Sequence, residues 1–570
     1  MTEVKYLLIA PILILAAAAG SPARLNAQGN SSNHSQDLDH DRGDSHDRDN
    51  RFRFVPGSLV VSRSVYDGNA STVTTGETLP LGCQGGTTGL TINVPTTTGG
   101  TTPVTVPCGV ATDNGEYPNL FDTHNVWNNA NSDGSFGVTS PIFLDDITTD
   151  GRELGTLPIP SDKIVTSFSS KSELALNRSV DGRSITFMGY VGGIGCGGVA
   201  VSPTAPNLLD ASASNTPGVC DPTNPVFTTF TSNPFVPAAY YRSVAEVDAD
   251  GQLSITHGNA YSGDNGRAAI KGGNGLYYMV GNDNSGNLSK KQMSTTTDGI
   301  DLSNATGAEL LYPGLMPPLP PNIEMIGRLE LGTDKPGKDT NFRSLTIFNN
   351  TLYVTKGSGG NGINTVYQAG TVGTLPTGSV ATLATVPLTI LPGFPNTAAS
   401  TNTAFPFGIW FANPTTLYVC DEGDGTLVSP AVNGNVADAQ SLATAGLQKW
   451  SLINGTWGMQ YVLQDGLNIG VPYRIGGYPS SLNPATGGCR NITGRDNFDG
   501  TVTIFAITST ISANGDTGAD PNKLVKVTDR ISDTTLPKGD DRLGHFTTVR
   551  SARSHEVLRG VTFAPGGYGW

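Results

Sequence analysis

The sequence predicts an all-β fold, a single six-bladed β-propeller whose last blade forms when the C-terminal strand joins three N-terminal strands. Three observations predict it. The 570 residues include 72 glycines and 37 prolines but only 14% charged residues, a mixture that suits short strands and many turns and suits long helices poorly. From Phe54 onward one theme recurs: an apolar strand, an Asp-Gly or Asn-Gly type turn, then a second apolar strand, which is the pattern of a β-hairpin. Four strands per unit, repeated at intervals of tens of residues, is the mark of a propeller. Finally, the last unit contains one strand only, and the N-terminal region holds three strands that lack an inner neighbour. Two β-sandwiches in tandem are the alternative arrangement.

Hairpins such as LNRSVDGRSITFMGY, LTIFNNTLYVTKG and IWFANPTTLYVCDEGDG place the starts of the six units near Leu174, Ala268, Ser344, Gly408, Ile475 and Gly560. The segment LRGVTFAPGG supplies the last strand. Its complement is SLVVSRSVYDG, PIFLDDITTDG and RELGTLPIP near the N-terminus. Joining them gives each sheet its full strand count and leaves no open edge in the ring.

The two ends differ from the rest. Lys5 and the apolar run Tyr6 to Ala19, followed by small residues up to Ala27, read as a secretory signal over residues 1–27; the run is too short to span a bilayer comfortably. Residues 28–53 are dense in Asp, Arg and His and read as a disordered linker. His34, His40 and His46 there suit weak divalent-metal binding at most. The propeller then occupies residues 54–570, with loop inserts at 67–140 and 193–237. The formal net charge of −14 argues against nucleic acid or an anionic membrane as a partner. A monomer, secreted to the periplasm or beyond, is the expected form.

Six cysteines fit an oxidising compartment. Cys83 with Cys108, and Cys196 with Cys220, each bracket a Gly/Thr/Pro-rich loop and read as two local disulfides. Cys420 and Cys489 are left over. With an inner strand beginning at Ile475, bonding them requires the chain to fold back across a blade, so their pairing tests the strand assignment.

The RGVTFAP ending, the opening PGSLVV and the units FGIWFANPTTLYVCDEGDG and NKLVKVTD resemble bacterial secreted propellers, the broad six-bladed class that includes NHL-repeat and SMP-30-like proteins. The resemblance covers roughly residues 54–567. It implies architecture and leaves activity open, because this fold hosts binders, hydrolases and scaffolds. Some six-bladed relatives are metal-assisted hydrolases or lactonases.

In a propeller the innermost strands line a central channel. Both long inserts follow a second strand, so both belong to the face where inner strands begin, and long loops gathered on one face mark a working side. On that face Arg267, Arg343, Arg474 and Arg559 recur at the beginnings of inner strands. Around one axis they make a cationic ring suited to carboxylate or phosphate. The competing reading pairs each with a carboxylate, and Asp264, Asp339 and Glu556 lie near three of them in sequence. His257 and His555 precede two of the arginines, close enough for a general base, although lone loop histidines are usually bystanders. Asp421, Glu422 and Asp424 in CDEGDG offer a weak calcium site without the full Asp-x-Asp-x-Asp-Gly spacing. No Gly-x-Ser-x-Gly elbow stands between a strand and a helix, and the Gly-rich GGIGCGGV has no following helix to cradle a phosphate.

Three functions follow from this reading. The first is a binding module for an anionic small molecule, an anionic glycan or a protein partner. The second is a calcium-dependent hydrolase or lactonase, which needs ligands converging on the channel. The third is a cell-envelope structural protein. No catalytic motif singles out the second.

Overall fold

The computed structural model describes residues 52–66, 139–161, 163–168, 170–191, 242–258, 266–281, 342–357, 363–378, 386–397, 404–423, 443–511, 518–539 and 542–566, with isolated short strands at 78–79, 89–95, 101–107, 109–110, 128–129, 133–137, 308–311 and 323–325. The signal segment, residues 28–51 of the linker, Asp264, Asp339, Asp424 and the four cysteines at 83, 108, 196 and 220 lie outside the described residues.

Among the described residues the chain is all-β apart from one short 3-10 turn at Ser480–Leu482. Small antiparallel sheets follow one another in a propeller arrangement. Strands β1 (Leu59–Val65), β2 (Ile142–Ile147) and β3 (Glu153–Pro158) form the first sheet with the last strand of the chain, β24 (Glu556–Phe563). Their order is β3-β2-β1-β24, with Leu59 opposite Phe563 and Val65 opposite Glu556. The N- and C-terminal segments pair as expected.

The second sheet holds β4 (Asn177–Arg178), β5 (Ser184–Val191), β6 (Arg242–Asp248) and β7 (Leu253–Gly258). Its inner edge is split, because Ile164–Ser167 also pairs with the end of β5 and with Thr139–Ser140. The third sheet is β8 (Gly266–Lys271), β9 (Tyr277–Gly281), β10 (Ala308–Leu311) and β11 (Ile323–Met325). The fourth is β12 (Phe342–Phe348), β13 (Thr351–Lys356), β14 (Thr365–Ala369) and β15 (Leu388–Ile390). The fifth is β16 (Pro406–Asn413), β17 (Thr416–Asp421), β18 (Gly446–Ile453) and β19 (Thr456–Leu463). The sixth is β20 (Ala485–Asp496), β21 (Thr501–Ile511), β22 (Lys523–Arg530) and β23 (Thr547–Ser551).

Turn chemistry explains the hairpins. Asn349–Asn350 joins β12 to β13 and Asn454–Gly455 joins β18 to β19, with positive φ at both central residues. Tight hairpins require this conformation and Asn or Gly tolerates it best.

First strands of neighbouring sheets touch in chain order, β4 with β8, β8 with β12, β12 with β16, β16 with β20, and β24 touches both β20 and β4. Hydroxyl groups reinforce these seams. Ser62 on β1, Thr186 on β5 and Thr355 on β13 each donate across to a first-strand or neighbouring carbonyl of the next sheet, at Leu174 (2.7 Å), Ala269 (2.6 Å) and Phe407 (2.6 Å). Separate apolar clusters fill the spaces between sheets. Phe348 stacks on Phe411 with centroids 4.7 Å apart, and Trp457 meets Phe411 edge-on at 6.0 Å. Burying rings of this size stabilises each seam by roughly 2 kcal/mol per side chain.

One strand assignment changes. Ile475 belongs to a turn-rich connection, and the first strand of the sixth sheet begins at Ala485. The leftover cysteines follow from this shift. Cys420 on β17 and Cys489 on β20 form a disulfide with Cα atoms 5.2 Å apart, joining adjacent sheets with no fold-back. Gly488 permits the approach, because a Cβ there would sit 2.2 Å from the Asp421 carbonyl oxygen.

Candidate functional site

The inner strands carry irregularities in their pairing near the arginines. Arg559 falls between Gly560, paired with Ser62, and Leu558, paired with Arg63, so it is the extra residue of a β-bulge. Arg267 on β8 and Arg343 on β12 are also skipped in pairing with the second strand. On β20 the pairing jumps from Cys489 to Ile492, across Arg490 and Asn491, while the partner strand advances two residues. The same shift recurs on β16 around Phe407 and Gly408. A bulge re-aims a side chain that regular pleating would otherwise direct to a sheet face. Four inner strands therefore carry an arginine at the same local irregularity.

Arg490 is the residue that sequence reasoning missed. Arg474 is exposed in the connection ahead of β20 and does not join the group. The signal was present: FRSLT, CRNIT and LRGVT share Arg, a small or polar residue, an aliphatic residue and Thr. PYRIGGY lacks that order. His257 lies on the outermost strand β7, away from the inner strands. His555 is in the turn leading into β24, where its Nδ1 is 3.1 Å from the Ser554 hydroxyl.

All four guanidinium-bearing residues are buried, at 3 to 4% exposure, and Arg267, Arg343 and Arg559 each donate to a main-chain oxygen. Arg267 donates to Phe342 O at 2.6 Å and to the Ser172 hydroxyl at 2.9 Å. Arg343 donates to Gly357 O at 2.6 Å. Arg559 donates to Ser170 O, to Phe168 O and, at 3.2 Å, to the Ser64 hydroxyl. Arg267 thus ties β8 to β12 and to Ser172, Arg559 ties β24 to Phe168 and Ser170, and Arg343 bonds the end of the second strand in its own sheet. Glu556, expected beside Arg559, instead bridges to Arg63 at 2.9 Å.

Phe168 and residues 170–173 belong to the excursion that splits the inner edge of the second sheet. Leu174 closes it at φ +60°, a left-handed conformation that costs a branched side chain about 1 kcal/mol. Gly560 must lie against it, since a Cβ there would be 2.5 Å from Leu174 O. This excursion delivers Lys171 to the centre, where its Nζ is 3.2 Å from Glu422 Oε1. Arg490 Nε is 3.0 Å from Glu422 Oε2. Glu422 lies just beyond β17, and the Ser509 hydroxyl holds its carbonyl at 2.6 Å.

Charges around Glu422 are unequal. Burial by itself would raise its carboxyl, but Lys171, Arg490 and Arg343 together hold it at about 2. Burial, followed by repulsion from Arg343 and Arg490, draws the Lys171 ammonium down to about 8 despite Glu422. That side chain is 31% exposed, so solvent moderates the effect. Asp421, next in sequence, behaves oppositely. Burial pushes its carboxyl up to about 6, while Gly423 N (2.9 Å) and Gln448 Nε2 (3.0 Å) donate to it.

A pH dependence follows, with its sign set by Glu422. A carboxyl held at about 2 in the fold and near its ordinary 4.5 when unfolded contributes stability above pH 4.5 that is lost as pH falls toward 2. Urea unfolding of the wild type and of Glu422→Gln isolates this share. The gap between the two proteins is expected to shrink by about 3 kcal/mol from pH 5 to pH 2. A constant gap would show that Glu422 is not held as an anion. Asp421 acts in the reverse direction and is common to both proteins.

Asp421 and Glu422 do not converge on one point. Glu422 faces two cations and Asp421 is occupied by an amide N–H and a glutamine. No group of three or more His, Cys, Asp or Glu suited to a metal ion occurs among the described residues. No described helix is long and apolar enough to cross a membrane.

No family model matches the chain, and no curated protein matches it. Among solved structures, the hemagglutinin-neuraminidase ectodomain of parainfluenza virus 5 is similar at 10% identity and TM-score 0.30, over 75% of this chain and 77% of that one. Prolyl oligopeptidase B from Galerina marginata is similar at 8% identity and TM-score 0.26, over 80% of this chain and 48% of that one. The propeller arrangement rests on the sheet topology described above.

Proposed function

We propose that the protein is an exported six-bladed propeller, with the split second sheet as one blade and β24 closing the ring, that binds an anionic small molecule or anionic glycan at the channel mouth. The observation that carries this reading is the charge imbalance at Glu422, where Lys171, Arg343 and Arg490 act on one carboxylate. Arginine bulges serve mainly to lock the inner strands. Lys171 is the accessible member, and an incoming carboxylate or phosphate would relieve the repulsion that lowers its affinity for a proton. The Cys420–Cys489 disulfide suits the oxidising compartment implied by the leader-like residues 1–27. A calcium-assisted hydrolase has less support, because a divalent cation at Glu422 would face Lys171 and Arg490 at close range.

Titration calorimetry with inorganic phosphate, citrate and an oligogalacturonate tests the proposal. At least one probe is expected to bind at pH 7, about tenfold more weakly at pH 9.5, and about tenfold more weakly to Lys171→Met. If none binds at millimolar concentration, or if Lys171→Met binds equally well, the reading fails.

A further inference from the structure

The inner strands start at the arginine bulges and end at a cavity of about 430 Å³ on the opposite face. Each of the six sheets contributes to its wall through its inner strand, with Arg178, Ile270, Phe348, Trp410, Arg495 and Thr562. A second cavity of about 260 Å³ adjoins it and shares Arg495, Asp496 and Phe498. The larger volume falls within the range of about 300 to 1,000 Å³ usual for small-ligand sites.

Two further features mark this end. Phe498 is 76% exposed at the rim and has φ +60°. A bulky aromatic residue rarely adopts that conformation, which Asn or Gly takes readily. The turn is nonetheless well made, with Phe498 N donating to Asp496 Oδ1 at 2.7 Å and Thr501 N donating to Asp499 Oδ1 at 3.0 Å. Strain of this kind gathers at functional positions. Beside it, the half-buried Arg495 has no hydrogen bond or ion pair with any described residue. Its planar fork is suited to a carboxylate or sulfonate.

Several other polar groups around the cavity are committed within the fold, while the hydroxyl-bearing Thr346, Thr493 and Thr562 also line it. Asn177 donates to Ala269 O at 3.1 Å, Arg178 donates to Gly182 O at 3.2 Å, and Asn497 donates to Thr501 and Thr503. The aromatic rings of Phe348, Trp410, Phe411 and Phe498, with the Arg495 guanidinium beside them, favour a planar body that carries an anionic group.

We propose that this cavity is a second binding site, for an organic anion with a planar apolar body. The body packs against Phe348 and Phe498, and the anionic group takes the Arg495 fork. The site is independent of the channel mouth.

Fluorescence titration of the full chain with 8-anilinonaphthalene-1-sulfonate tests this. Saturable enhancement is expected, at least tenfold weaker for Arg495→Gln, and at least tenfold weaker when the uncharged N-phenyl-1-naphthylamine replaces the sulfonate. Phe498→Asn is expected to lose binding while its melting temperature stays level or rises, because Asn accepts the backbone conformation. Lys171→Met is expected to bind the sulfonate like the wild type. The proposal is overturned if Arg495→Gln and Phe498→Asn both bind like the wild type. Equal binding of the uncharged probe would also overturn it.

Discussion

Asp529→Ala is expected to destabilise the protein by about 3 to 5 kcal/mol, the cost of stranding a buried charge. Asp529 on β22 and Lys449 on β18 are both fully buried, with Nζ 3.0 Å from Oδ2. Tyr418 on β17 donates to Oδ2 at 2.5 Å and Tyr461 on β19 to Oδ1 at 2.9 Å. Lys449 also donates to Tyr461 and to Arg530 O. The cluster therefore connects three strands of the fifth sheet to one of the sixth. Burial and then the Asp529 charge raise both tyrosine hydroxyls above their ordinary range, so they remain donors at any pH the fold survives. Burial pulls the Lys449 ammonium down, and Asp529 is what opposes that pull. Without Asp529 the lysine must stay charged and unpaired, lose its proton or open the seam, and each is costly.

A double-mutant cycle separates charge stranding from lost packing. Lys449→Met placed on Asp529→Ala is expected to recover about 2 kcal/mol of the loss, because the stranded charge is gone. Urea unfolding monitored by tryptophan fluorescence reads both values. An Asp529→Ala loss below about 1 kcal/mol, or no recovery in the double variant, would show that the pair carries no coupled burden.

Replacing Cys420 and Cys489 together with alanine is expected to cost about 4 kcal/mol. The disulfide closes a loop with a sequence separation of 69 residues, and freeing a loop of that length returns this much chain entropy to the unfolded state. Both sulfurs are fully buried, so the loss should appear in the unfolding free energy of the oxidised wild type against the variant without any added reductant. Since the bond ties β17 to β20, the variant should also lose amide-exchange protection along the fifth and sixth sheets before the others. A loss under about 1 kcal/mol with unchanged protection would mean the cross-link constrains little beyond what the sheets already hold.

The strand assignments show what was legible from residues alone. Hairpins around Asn349–Asn350 and Asn454–Gly455 are short-range patterns, since the turn needs positive φ at adjacent residues and the flanking strands alternate. The inner strands near Ala268, Ser344, Gly408 and Gly560 were found the same way. The twelve-residue β20 was not, because two register shifts within it break the alternation that would announce a strand. PYRIGGY, with one arginine and an apolar neighbour, took its place. With β20 as the inner strand, Cys420 and Cys489 meet between adjacent sheets without any fold-back.

By itself, the sequence determined the all-β class, the hairpin repeat and the pairing of the C-terminal strand with the N-terminal three, because periodicity and turn preference act over a few residues. The three-dimensional arrangement decided the rest. It put Arg490 into the group of bulge arginines in place of Arg474 and turned donors of the other three toward main-chain carbonyl oxygens. It also brought Lys171 to Glu422 across 251 residues and left Arg495 and Phe498 at a cavity on the other face. A guanidinium's partner depends on register shifts and on which strand lies across the channel, and neither is encoded in the spacing of neighbouring residues.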